Sequence, residues 1–247
     1  MSSTISSQIA KTIEEIRRAD YEGDRIALKT LFADLEPYID VPEITARALY
    51  WRGFAMWRSA INGFNDGATP GELEESLAQA MRQFEDSLGA DTDFIEAKIG
   101  LASSTGLMAY LQRRNDDLVR ELTSRTLVAL KEIQTAAPDN PRFLWVMGQI
   151  LWNSPAESGG QQKAIEGYKR GLEILDTTKK DLTNSLQPSW GRAELLMSLA
   201  WANLNLAVPD VASAEVYAHQ ALVMISYWHY VRDILLPQIH AAKAKNI

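Results

Sequence analysis

Apolar residues recur at helical spacing from one end of this chain to the other. Between Ser3 and Ala19 they fall at Ile5, Ile9, Ile13 and Ile16, with Glu14, Glu15, Arg17 and Arg18 on the other faces. That is the stripe of a helix resting on a core. Tyr21 to Asp24 reads as a turn, and Asp24 to Tyr38, with Ile26, Leu28, Leu31 and Leu35, as a second helix ended by Pro37 or Pro42. Ala46 to Ser59 is a third helix, followed by a stretch from Ile61 to Gly71 rich in Asn-Gly and Asp-Gly turn signals. Thr69-Pro70-Gly71-Glu72 starts the next helix, with Thr as N-cap, Pro in the first turn and Glu three residues on. Asp93 to Leu111 and Leu118 to Ala137 form a further pair around a turn at Arg113 to Asp116, closed by Pro138. Thr177 to Trp190, holding Lys179, Lys180, Asn184 and Pro188, reads as a linker. Gly191 to Leu206 is another helix, and Pro209 opens its partner. Tyr227 to Lys245 is a last helix, expected to turn Tyr227, Trp228, Tyr230, Ile234 and Leu235 inward and to end in a polar A-A-K-A-K run.

One stretch sharpens this pattern. Pro138 to Leu172 reads P-D-N-P-R-F-L-W-V-M-G, then a short loop, then K-A-I-E-G-Y-K-R-G-L. It resembles a tetratricopeptide (TPR) repeat, whose pattern is W-x2-L-G-x2-Y on one helix, A-x3-F on the next, and a closing Pro. Met147-Gly148 stand at the Leu-Gly pair, Leu144 at the Trp and Leu151 at the Tyr; Ala164 and Tyr168 fill A-x3-F. The same spacing recurs at Gly53 and Ala55, at Ala80 and Phe84, at Ile99-Gly100 and Ala102, at Thr126, Leu130 and Ile133, at Leu199-Ala200, and at Ala214 and Ala218. Arg52 departs from the family's Leu before Gly53. The small residues Gly53, Gly100, Gly148 and Ala200 return roughly every 50 residues, longer than the family's 34.

The resemblance implies an all-α fold: a right-handed α-solenoid of antiparallel helix pairs, with about five TPR-like units and a C-terminal capping helix. It implies a single domain over 1–247, with an atypical first helix pair at 1–41, TPR-like units over 42–226 and the cap at 227–247. A unit of this kind cannot bury its apolar face alone, so each needs neighbours.

Composition narrows the function. The hydrophobic share of 46% and charged share of 23% are ordinary for a globular chain. A net charge of −7 and a pI near 5.1 argue against a nucleic-acid surface. No apolar run is long enough to span a bilayer. The chain has no cysteine, which removes disulfides, thiolate chemistry and Cys-based zinc sites. The first residues lack the basic start and apolar core of a signal peptide. The compartment stays open: cytoplasmic on the sequence as it stands, periplasmic or secreted if a leader preceded it.

In the family the first helices line a concave face. Carrying that over places Arg47, Tyr50, Phe54, Trp57 and Arg58 on it, then Phe94, Ala97, Leu101 and Ser104. Further along it receives Arg142, Trp145, Gln149, Trp152 and Asn153, and then Glu194, Met197, Trp201, Leu204 and Asn205. Indoles and other aromatics with arginines at the rim are the residue types of binding hot spots. Two readings of the stripe stand side by side: a tight inner face filled by its own side chains, or an open surface. The open surface would take a peptide or partner helix, with Arg47, Arg58 or Arg142 meeting a carboxylate. It could instead enclose a small apolar or anionic aromatic ligand, or a second copy of the chain.

Catalytic chemistry is not visible. The three histidines are His219, His229 and His240. His229 and His240 share a helix face but would sit roughly 16 Å apart at the usual rise per residue. No nucleophile and base are brought together. The expectation is therefore no enzyme, no cofactor and no metal.

Overall fold

The computed structural model describes residues 3–178 and 185–245, with side chains from residue 7 onward. Lys179, Lys180 and Asn184 of the expected linker, and the side chain of Ile5, lie outside the described residues. Eleven α-helices and no strand occur among the described residues. The helices are α1 (Ser3–Glu22), α2 (Arg25–Asp34), α3 (Thr45–Asn65), α4 (Pro70–Ala90), α5 (Ile95–Leu111), α6 (Asp116–Ala136), α7 (Pro141–Trp152), α8 (Gly160–Thr177), α9 (Arg192–Leu204), α10 (Val211–Met224) and α11 (Leu236–Lys245). They pack as neighbouring pairs. The chain forms two compact units: Met1–Ala136 with Leu182–Pro188, and Ala137–Asp181 with Ser189–Ile247.

In the first unit α3 is the centre. It packs against α1, α2, α4 and α5, so it is buried on nearly every face. Ile9, Ile13 and Ile16 of α1 are buried, as their spacing predicts. Gly23 turns the chain with φ 74°, and the Asp24 carboxylate accepts from the backbone N–H groups of Ile26 and Ala27 to start α2. α4 begins with the expected capping box: Glu72 N–H donates to Thr69 Oγ1, and Thr69 N–H donates to the Glu72 carboxylate at 2.9 Å. That backbone hydrogen bond holds the Glu72 carboxyl below its usual pKa.

The Ile61–Gly71 stretch is not all loop. α3 continues to Asn65, and only then do Gly67 and Thr69 break and restart the chain. Asn62 shows why turn propensity loses here. Its side chain is buried and donates to the Asp20 carbonyl at 2.9 Å, a tertiary partner that a turn would forfeit.

The small residues have a specific use. A Cβ built on Gly53 would lie 2.8 Å from Phe84 Cδ1, and one on Gly100 would lie 2.6 Å from Phe84 Cε1. The Phe84 ring of α4 is thus seated between a bare stretch of α3 and a bare stretch of α5. Packing also skips along the chain, α1 to α3 and α3 to α5.

The second unit repeats the device. A Cβ on Gly148 of α7 would lie 2.9 Å from Tyr168 Cδ1 of α8, and one on Gly171 would meet Leu195 of α9 at the same distance. Asn140 caps α7 by accepting from Arg142 and Phe143 N–H groups, and Pro141 follows in the first turn, where it needs no hydrogen bond. α7 packs on α8, α8 on α9, α9 on α10, and α7 also on α9.

The last segment differs from a plain helix. Ile225 ends α10 at a turn, Tyr230–Leu235 is a π-helical segment, and α11 starts at Leu236. The segment ends two residues before Pro237, which cannot donate a backbone hydrogen bond, and wider π-type bonding is one way a chain absorbs that break. Trp228, Val231, Leu235 and Ile239 face inward, but Tyr227 is exposed because it lies in the turn before the helix begins. No helix among the described residues is long and apolar enough to cross a membrane.

The glycine contacts make a direct expectation. Gly100→Ala should destabilise the chain by about 1–3 kcal/mol, the usual cost of overpacking a filled core. Gly89, exposed near the end of α4 with open space around it, should gain about 0.5–1 kcal/mol when changed to Ala. Urea unfolding of the two variants checks this, and equal midpoints would show that Phe84 has room to move away.

Candidate functional site

The five candidate residues on α3 turn inward. Tyr50, Phe54 and Trp57 are buried, and their rings form one cluster with Trp51, Phe84 and Phe94. Tyr50 lies 5.2 Å from Phe94, Phe54 lies edge-on to Trp57 at 5.9 Å, and Trp57 lies edge-on to Phe84 at 6.3 Å. These are attractive edge-to-face and tilted arrangements. The Trp51 indole N–H donates to the Leu186 carbonyl at 2.8 Å, so the chain at 185–188 returns to lie on α3. Phe94, Ala97 and Ser104 are also buried, while Leu101 is half-buried in a shallow cleft between α5 and α6.

The arginines of this unit have partners inside it. Arg58 is 3% exposed and its Nε donates to Asp20 Oδ1 at 2.8 Å, with Asp20 itself 1% exposed. This buried pair ties α3 to α1, and Asn62 adds its donation to the same aspartate. Arg47 is half-buried, pairs with Asp91 and stacks 4.2 Å from the Phe94 ring centre. Arg52, the residue out of step with the TPR pattern, is buried too. It pairs with Glu36, donates to Gln83 at 2.7 Å and lies over Phe32. A charged head at a packing position is tolerated here because three partners surround it.

In the second unit the candidates divide. Trp145 is buried, meets Trp190 edge-on at 5.6 Å, and donates its indole N–H to Ser198 Oγ at 2.9 Å. Tyr168 shares that serine, and burial raises its hydroxyl pKa well above the ordinary value. Arg142 is half-buried and donates to the Trp190 carbonyl at 3.0 Å. Glu194 is fully buried and accepts from Gly191 N–H at 2.8 Å, closing the start of α9.

Trp152 and Trp201 behave differently. They meet at 5.0 Å with their planes 65° apart, at the C-terminal ends of α7 and α9, and both remain partly open to solvent. Gln149 and Met197 are half-buried one turn back, and Asn153 and Asn205 are exposed. Each asparagine donates its side-chain amide to the carbonyl four residues earlier, Gln149 at 3.1 Å and Trp201 at 2.8 Å. The pair is therefore an apolar double indole set beside two capped helix ends.

The polar clusters hold one surprise. The sequence paired His229 with His240 and found them too distant. In the structure His229 Nδ1 lies 2.9 Å from Asp233, while His240 comes together with Glu215 and His219. The missed signal was Glu215-x3-His219, which puts both side chains on one face of α10; the third member comes from α11 and has no local signature.

No family model matches the chain, and no curated protein matches it.

Arg58→Met should cost about 3–5 kcal/mol, because it strips the cation from a buried carboxylate. Arg47→Met, at a half-exposed pair, should cost about 1 kcal/mol or less. Thermal and urea unfolding measure both, and an unchanged midpoint for Arg58→Met would show that the pair does not hold α1 on α3.

Proposed function

We propose that the chain is a non-catalytic interaction module of the TPR-like kind, a right-handed solenoid of about five units closed by a capping helix. The support is physical. Helices pack in sequential pairs, first helices also touch the next first helix in each unit, and glycines at the TPR spacing receive the aromatic rings of adjacent helices. The reading is one of binding rather than chemistry, with the contact made by side chains that are already folded.

One observation selects the surface. Of the candidate tryptophans, Trp57 and Trp145 are buried, whereas Trp152 and Trp201 form a pair partly open to solvent. Indoles offer large contact area with few rotatable bonds to freeze, which is why they dominate hot spots. The expected arginine hooks are all engaged elsewhere: Arg47 with Asp91, Arg58 with Asp20 and Arg142 with the Trp190 carbonyl. This shifts the partner chemistry away from a carboxylate. Two helix C-termini carry partial negative charge, indole faces attract cations, and the chain is acidic overall. The partner that fits is a peptide or helix with an aliphatic or aromatic anchor next to a Lys or Arg.

Selection of a random peptide display library on the full chain tests this. Enriched peptides should carry an apolar residue beside a basic one. They should lose about tenfold or more in affinity on Trp152→Ala with Trp201→Ala, a change of more than 1.4 kcal/mol. Peptides that bind the double variant unchanged, or selection that enriches none, would remove the Trp152–Trp201 face as the docking surface.

A further inference from the structure

We propose that Glu215, His219 and His240 form a binding site for a first-row divalent metal ion, with zinc the ion that suits them best. Glu215 and His219 are four residues apart on α10 and leave its same face. α11 packs on α10 and presents His240 to them. One ligand atom from each of the three residues lies within 4.8 Å of the others, and His240 Nε2 is 3.6 Å from Glu215 Oε1. Atoms bound to a single tetrahedral zinc at ~2.0–2.1 Å are roughly 3.3–3.5 Å apart. Small side-chain rotations therefore close the site, with no movement of either helix.

The donor set selects the metal class. Two imidazoles and one carboxylate suit zinc and its transition-metal neighbours, whereas calcium and magnesium favour oxygen ligands throughout. Three protein ligands leave a fourth position for water or a small anion. Beside the site, an open cleft of about 640 Å³ is lined by Glu215 and His219 themselves, with Arg192 and the apolar residues Val216, Val223 and Met224. Val223 is 87% exposed, so this apolar wall has no cover among the described residues. Arg192 of that lining is paired with Asp176, so the cleft beside the site offers mainly apolar contact.

Without metal, Lys243 does the work of the cation. Its Nζ donates to Glu215 Oε2 at 2.6 Å. A metal ion on Oε1 would sit beside this second positive charge. Lys243 thus opposes the proposed ligand by charge repulsion. His229, committed to Asp233, is the internal control. The site uses none of the residues of the Trp152–Trp201 face, so the two readings stand or fall separately.

The experiment is calorimetric titration of zinc into the chelator-stripped full chain, with cobalt as a spectroscopic probe of coordination. One ion should bind per chain, raise the thermal midpoint, and give a cobalt spectrum of low coordination number. His219→Ala and His240→Ala should each weaken binding by about 100-fold or more, beyond what loss of an outer-shell partner costs. His229→Ala should change nothing, and Lys243→Met should tighten binding. The ligand histidines are exposed, so far-UV circular dichroism should show all these variants folded. Absence of saturable one-to-one binding would overturn the site. So would binding that survives both ligand variants, or binding that falls equally in His229→Ala.

Discussion

The structure depends on aromatic rings lying directly on helix backbone. Phe84 touches both α3 and α5 only because Gly53 and Gly100 carry no side chain there, and Tyr168 reaches α7 only over Gly148. A ring placed this way fixes the distance between two helices and their rotation about their own axes at once. It also makes the pairs interdependent. α4 cannot bury Phe84 without α3 on one side and α5 on the other, so no pair in that unit closes its core alone. Interiors packed to this density do not absorb an added methyl group cheaply, which is why a glycine rather than an alanine stands at these points.

The same dependence explains why α3 and the α7–α9 ends have different fates. α3 has α1, α2, α4 and α5 around it, so aromatics on any of its faces become core. Its arginines are then drawn into ion pairs, because a buried guanidinium left alone would cost more than the fold can supply. At Trp152 and Trp201 the helices are ending. Each of the two asparagines satisfies one late carbonyl, and the indoles lean on each other with part of their surface open to solvent. Identical residue types at matching repeat positions therefore have different roles, set by how many neighbours cover each helix.

This is also where sequence reading stopped. Helix positions and the glycine contacts were legible, because periodicity and small-residue spacing are local signals and Thr69-x2-Glu72 carries its own capping chemistry. Which face of α3 would be covered was not. Asp20 lies far from Arg58 in sequence, and Asp91 far from Arg47, and nothing in the residues between them announces the pairing. Asn62-Gly63 read as a turn because the tertiary acceptor on Asp20 that keeps Asn62 helical is invisible in a window of neighbours. Tyr227 has the spacing of a helix face, but the helix begins only after it.

The α10–α11 pair shows the opposite limit. Pro237, in the first turn of α11, has no N–H to donate, and the π-helical segment ahead of it shifts where later side chains fall around the axis. A π turn inserts the equivalent of one extra residue, a rotation of about 100° for everything beyond it. Ideal α-helical spacing counted across the π-helical segment therefore misplaces the residues beyond it, His240 among them. That rotation, coupled to the docking of α11 on α10, puts an imidazole and the Lys243 ammonium over Glu215 together. Whichever cation holds that carboxylate, the cluster joins residues on both sides of the helix defect, Glu215 on α10 and His240 with Lys243 on α11.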